Sequence, residues 1–110
     1  MRPSRLKPAI LRPQAKTDRQ NEVRYYRKEA GVKVAVRLVE ATGTALDQIE
    51  LQPGIGSPTL GKELGIPDLR SWRVTGFPLL WFYFERDDHL DVVRLLGERQ
   101  DTAGILAGAL

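Results

Sequence analysis

The spacing of apolar residues changes period along this chain, and each change marks an element. Leu6 to Leu11 reads as a short edge strand, because Pro8 is tolerated at a sheet edge and not at a sheet centre. Pro13 ends it. Ala15 to Ala30 contains neither Gly nor Pro, and Ala15, Val23, Tyr26 and Ala30 recur at helical steps, although Arg19 interrupts the stripe. Gly31 is a natural helix terminator. From Val32 to Leu51 a second helix places Ala35, Leu38, Val39, Thr42, Ala45, Leu46 and Ile49 on one face. Gly43 inside it costs about 1 kcal/mol relative to alanine. Two helices meeting at Gly31 form an antiparallel hairpin, which Pro53 closes. The Gly- and Pro-rich residues 53–68 read as a loop.

The period then shortens to that of strands. Leu69 to Val74 is one, Thr75-Gly76 a turn, Phe77 to Glu85 a second, Arg86-Asp87-Asp88 a hairpin tip, and His89 to Leu96 a third. The middle strand is apolar on both sides, with Leu80, Phe82 and Phe84 opposite Leu79, Trp81 and Tyr83. Such a strand needs cover on both faces. The helical hairpin supplies one cover. The other must come from the tail, a second copy or another protein. Asp101 to Leu110 is small and apolar and suits a short helix. The predicted class is α+β: an N-terminal edge strand, an antiparallel helical hairpin on a three- to four-stranded antiparallel sheet, and a short C-terminal helix. A length of 110 residues suits one domain, with residues 1–5 as a flexible start.

Composition narrows the chemistry. There is no cysteine, so disulfides, thiolate metal sites and cysteine nucleophiles are excluded. One histidine, His89, excludes a His-rich zinc site and a two-histidine acid/base pair. The longest apolar run, Leu79 to Phe84, cannot span a bilayer, and Met1 to Pro8 lacks the apolar stretch of a signal peptide. A cytoplasmic, cofactor-free domain is expected. The net charge of +3 hides an asymmetry: residues 1–37 carry 11 Lys/Arg against 3 Asp/Glu, and the remainder is acidic. A basic end of this density attracts nucleic acid or an acidic protein segment.

Catalytic constellations are sparse. The glycines of residues 53–68 lack the Gly-Lys-Ser/Thr of a phosphate loop. Asp87 and Asp88 sit at a hairpin tip, where solvent stabilises their ionised forms. Ser57 and Ser71 have no neighbouring base. Arg70, Arg73, Arg94 and Arg99 lie on or beside the sheet, but arginine supplies charge rather than proton transfer. Arg94 stands in an apolar strand, where a charge is expensive unless paired. It is expected either to meet Asp91, Asp101 or a helix glutamate, or to anchor a partner's carboxylate. Trp72 and Trp81 have an interface reading beside a core one, the two being balanced for Trp81.

Five stretches taken together carry a family resemblance: Ala30 to Leu38, Leu51 to Pro58, Leu69 to Pro78, Phe82-Tyr83 and Asp88 to Leu96. In order and spacing the chain resembles the ParE-type toxins of the RelE/ParE superfamily over about residues 8–107. The resemblance implies the toxic half of a type II toxin–antitoxin module, inhibiting DNA gyrase by direct binding without a cofactor. A cognate antitoxin would neutralise it through a segment laid as a helix in a groove or as a strand on an edge. No membrane and no sequence-specific nucleic-acid contact is implied. The partner-facing residues expected on this reading are Trp72, Trp81, Arg94 and Arg99. The alternatives are a ribosome-dependent mRNA endoribonuclease of RelE type and an inactive antitoxin-binding relative. The RNA-cleaving branch carries an arginine where this chain has Pro78, an arginine matching Arg99, and a tyrosine near Ile105. Against the ParE pattern, Gly97, Gln100 and Ala103 replace a histidine, an arginine and a proline, and Arg19 replaces an apolar residue.

Overall fold

The computed structural model describes residues 7–109. The proposed flexible start, residues 1–5, and Leu6 at the head of the predicted first strand lie outside the described residues. The elements are β1 (Ala9–Leu11), α1 (Pro13–Ala30), α2 (Val32–Leu51), a 3₁₀ turn (Pro53–Ile55), α3 (Thr59–Leu64), β2 (Arg70–Arg73), β3 (Leu79–Glu85), β4 (Leu90–Gly97) and α4 (Thr102–Ala109). α1 starts at Pro13, whose fixed φ and missing N–H suit a first helical position. Gly31 joins α1 to α2 at φ 95°, a conformation that a side chain resists.

The sheet order is β1-β4-β3-β2. β2, β3 and β4 form the expected antiparallel meander. β1 instead runs parallel to β4, with Ala9 opposite Leu90 and Leu11 opposite Val92, so the sheet is mixed. The reason is the path: the meander starts at the far edge and returns its last strand beside β1 in the same direction. A register shift on β4 opposite Phe82 and Tyr83 lets Val92 and Leu95 serve the same core although three positions apart.

The core has two halves. On one face of the sheet Leu79, Trp81 and Tyr83 of β3 and Val92 and Leu95 of β4 pack against Ala15 of α1 and Leu38, Ala45 and Ile49 of α2. On the other, Phe82, Phe84, Val93 and Leu96 pack with Leu106 of α4 and with Leu60 and Leu64 of α3. The second face is therefore covered by the chain itself. The tail supplies part of that cover, as one of the sequence alternatives required. The rest comes from α3, which occupies a stretch expected to be loop. Its turn fits between Pro58 and Gly65, the latter in the left-handed conformation that ends a helix. Its tight seat depends on Gly61: a Cβ there would lie 2.5 Å from the Leu69 carbonyl oxygen.

Candidate functional site

The four residues expected to face a partner separate into different environments. Trp81, on central strand β3, is wholly buried, and its indole N–H donates to the Thr42 carbonyl at 3.2 Å. It presents no surface, because a central strand is covered on both sides. Trp72, its register partner on edge strand β2, is half-buried, with its N–H donating to Gln48 Oε1 at 2.8 Å. Arg94 is taken by its own chain. Its guanidinium makes a two-pronged pair with Asp18 of α1, at 2.7 and 2.8 Å. The partner is thus a helix aspartate rather than Asp91, Asp101 or a glutamate. Hydrogen bonding to Asp18 raises the Arg94 pKa above its ordinary value, against the cost of burial.

Arg99 alone of the four is exposed. It follows β4 and leans back on α1, donating to the Tyr25 hydroxyl at 3.2 Å with its guanidinium 5.1 Å from the ring centroid. Tyr25 meets Tyr26 edge to face, and Tyr26 meets Phe77 likewise, at 5.3 and 5.2 Å. These groups form one ridge running from the end of β4, over α1, to the turn before β3. Glu22 lies beneath it. One of its oxygens, Oε1, is buried without a hydrogen-bond partner among the described residues. Burial pushes this carboxyl above the usual range, Arg99 pulls it back, and Asp18 pushes it further up. Sequence reasoning named neither Asp18 nor Glu22 for the site. Position was a signal for both: with Ala15 they fall three to four residues apart, on the α1 face that meets the sheet.

A second feature lies behind α2. Tyr26, Val34, Ala41, Ala45, Phe77 and Pro78 line a mostly apolar groove of about 620 Å³ between the helix and the β2–β3 turn. Arg37, Glu40 and Gln48 stand at its polar edge.

Groups able to exchange protons are dispersed. The Tyr83 hydroxyl is locked inside, donating to the Pro53 carbonyl at 2.7 Å and accepting from the Gly56 N–H at 3.0 Å; burial raises its pKa. His89 pairs with Asp88 at the hairpin tip, 2.7 Å away. The positions matching the RNA-cleaving pattern do not converge either. Arg99 is drawn to α1 on one side of the sheet, whereas Ile105 packs into the cluster on the other. Among the described residues no helix is long and apolar enough to cross a membrane.

The family described as the ParE toxin of type II toxin-antitoxin system, parDE, matches residues 9–102, from β1 to the first residue of α4. The chain belongs to the ParE toxin family. ParE likeness extends to three dimensions: a solved structure described as the chromosomal ParDE TA system from P. aeruginosa superposes with a TM-score of 0.70 at 14% identity. The superposition covers 84% of this chain and 96% of that one. No curated protein sequence matches. Within the ParE frame, the arginine at position 94 and the aspartate at position 18 tie the helical hairpin to the last strand, and Arg99 with its tyrosines forms the exposed cationic and aromatic edge.

Proposed function

We propose that this ParE-family chain is the toxin of a type II module, that it inhibits DNA gyrase by direct contact, and that a cognate antitoxin neutralises it. The observation that carries the reading is the family match across residues 9–102. We assign its contact surface to Arg99 after the end of β4, with Tyr25 of α1 beneath it, and to Trp72 on the edge strand; Arg99 and Trp72 are the exposed and half-buried members of the expected set. Arginine and aromatic side chains are the groups that most often anchor protein interfaces. The gyrase reading also places the chain in the cytoplasm.

The test is a supercoiling and DNA-cleavage assay with purified gyrase, run beside a cell-free translation assay. The expected result is loss of supercoiling with accumulation of cleaved DNA and undiminished translation. Translation lost while supercoiling persists would favour a ribosome-dependent ribonuclease instead. No effect in either assay would favour an inactive antitoxin-binding relative. Coexpression with the product of the adjacent reading frame is expected to restore growth.

A further inference from the structure

α2 turns more apolar surface outward than its spacing predicts. Val39, placed by that argument on the packed face, is 43% exposed, and Leu51 at the helix end is 68% exposed. Next to Leu51 stands Glu50, an acidic residue in the last turn of a helix, where the backbone carbonyls disfavour negative charge. That turn holds no basic residue to offset it. The carboxylate is held instead by a contact outside the helix: its Oε2 accepts from the Ala9 N–H of β1 at 2.7 Å.

Among the described residues β1 is one edge of the sheet. The Pro8 carbonyl and the Arg12 N–H point at β4, where they bond the Leu90 N–H and the Val92 carbonyl. By alternation, the N–H and C=O groups of Ala9 and Leu11 point the other way, out of the sheet. Such an edge templates pairing with another chain unless something blunts it. The chain blunts its opposite edge itself, where Ser57 exchanges backbone hydrogen bonds with Ser71 of β2 at 2.9 and 3.0 Å. Charged residues flanking a strand can serve the same purpose. On β1 they are engaged inward: Lys7 pairs with Glu85 of β3 at 2.8 Å and Arg12 with Asp91 of β4 at 2.9 Å. Ala9, Ile10 and Leu11 are uncharged, and Ile10 is 55% exposed.

We propose that the Glu50 carboxylate keeps β1 from pairing with β1 of a second copy, and that without it this edge is a self-association surface. A second copy is the occupant that fits, because the edge complements itself. In an antiparallel pairing about a two-fold axis, Ile10 faces Ile10 of the second copy as a non-hydrogen-bonded pair, where side chains come closest. Each Ala9 N–H then meets a Leu11 carbonyl across the axis. Glu50 withholds the Ala9 N–H from that pairing. For the strands to join, both carboxylates must give up their hydrogen bonds and stay beside the seam unpaired, which disfavours the dimer. Neither gyrase nor an antitoxin enters into this contact, so the assays above can fail without touching it.

Sedimentation velocity of the full chain over about a hundredfold range of concentration is the test. In the wild-type chain Ile10→Lys is expected to leave sedimentation unchanged. Glu50→Ala should associate at concentrations at least about tenfold lower than the wild type does. Glu50→Gln keeps the shape and an acceptor for the Ala9 N–H but not the charge, and should fall between them. Adding Ile10→Lys to Glu50→Ala should return the monomer, whereas adding Lys62→Glu on α3 should not. Amide exchange at Leu11 should slow in the associated form, since its N–H gains a partner. Circular dichroism establishes that each variant is folded; should Glu50→Ala not fold, Glu50→Gln with and without Ile10→Lys makes the same comparison. Three results would overturn the proposal: folded Glu50 variants that sediment as the wild type does, association that Ile10→Lys leaves intact, or a wild-type association that Ile10→Lys removes.

Discussion

Asp18 on α1 binds both Arg94 and the backbone of the next residue on β4. Its Oδ2 accepts from Arg94 Nε at 2.7 Å and from the Leu95 N–H at 3.0 Å, while Oδ1 accepts from Arg94 Nη2 at 2.8 Å. One carboxylate thus fixes the height of the helical hairpin over the last strand. Both side chains are largely buried, at 12% and 15% exposure. Removing one partner of such a pair costs more than the pair contributes, because a charge is left stranded.

Asp18→Ala is expected to lower stability by about 3 kcal/mol. The double variant Asp18→Ala with Arg94→Met should be more stable than Asp18→Ala alone, since it removes the stranded charge as well. Urea midpoints measure both. Strict additivity of the two single changes would refute the coupling.

Glu22 gives a prediction of opposite sign. Its folded pKa is raised by burial, so the stability it contributes is fully present below its unfolded pKa and falls as pH rises through the folded value. Glu22→Gln should therefore raise the urea midpoint at neutral pH, with the gain vanishing below about pH 4. A pH-independent difference would show that lost packing, not charge, is responsible.

Asp91 behaves in reverse. Arg12, through hydrogen bonding, and Arg86 hold its carboxyl below the usual range, against the cost of burial. Its contribution is present above the unfolded value of about 3.9 and disappears as pH falls through the lower folded value. Asp91→Asn should flatten the acid limb of the stability–pH curve below about pH 4 and lower stability above it. Circular dichroism during acid titration reads the difference.

The Tyr83 hydroxyl ties the Pro53–Gly56 loop to the sheet from below. Tyr83→Phe should cost about 1–3 kcal/mol, because the Gly56 N–H and the Pro53 carbonyl lose a buried partner. Gly56→Ala should cost at least as much, as its Cβ would fall 2.5 Å from that hydroxyl. Increased amide exchange across residues 53–57 would accompany both changes.

Legibility in the sequence followed the range of the forces involved. α2 is bounded by Gly31 and Pro53, and its ends at Val32 and Leu51 could be read directly. α3 could not, because six residues do not establish a period and Gly61 argues against a helix until its contact with Leu69 is known. Leu60 and Leu64, four apart between Pro58 and Gly65, were the available signal. The parallel direction of β1 depends on the path of the whole chain, which no local pattern encodes. Trp72 and Trp81 face each other across β2 and β3, and only the order of strands decides that one is at an edge and the other at the centre. The need of Arg94 for a counter-charge was readable. That Asp18, from the first helix, would meet it was not.

The pairing of Ala9 with Leu90 joins the first described strand to the last. Eighty of the 110 residues lie between those two, so this edge of the sheet cannot close until most of the polypeptide has been made. During synthesis the hairpin helices and the meander emerge without the contact that completes their shared core. Until then the newborn chain exposes apolar surface that the finished molecule hides, and any binder ready at the tunnel exit would meet it before it reaches its mature form.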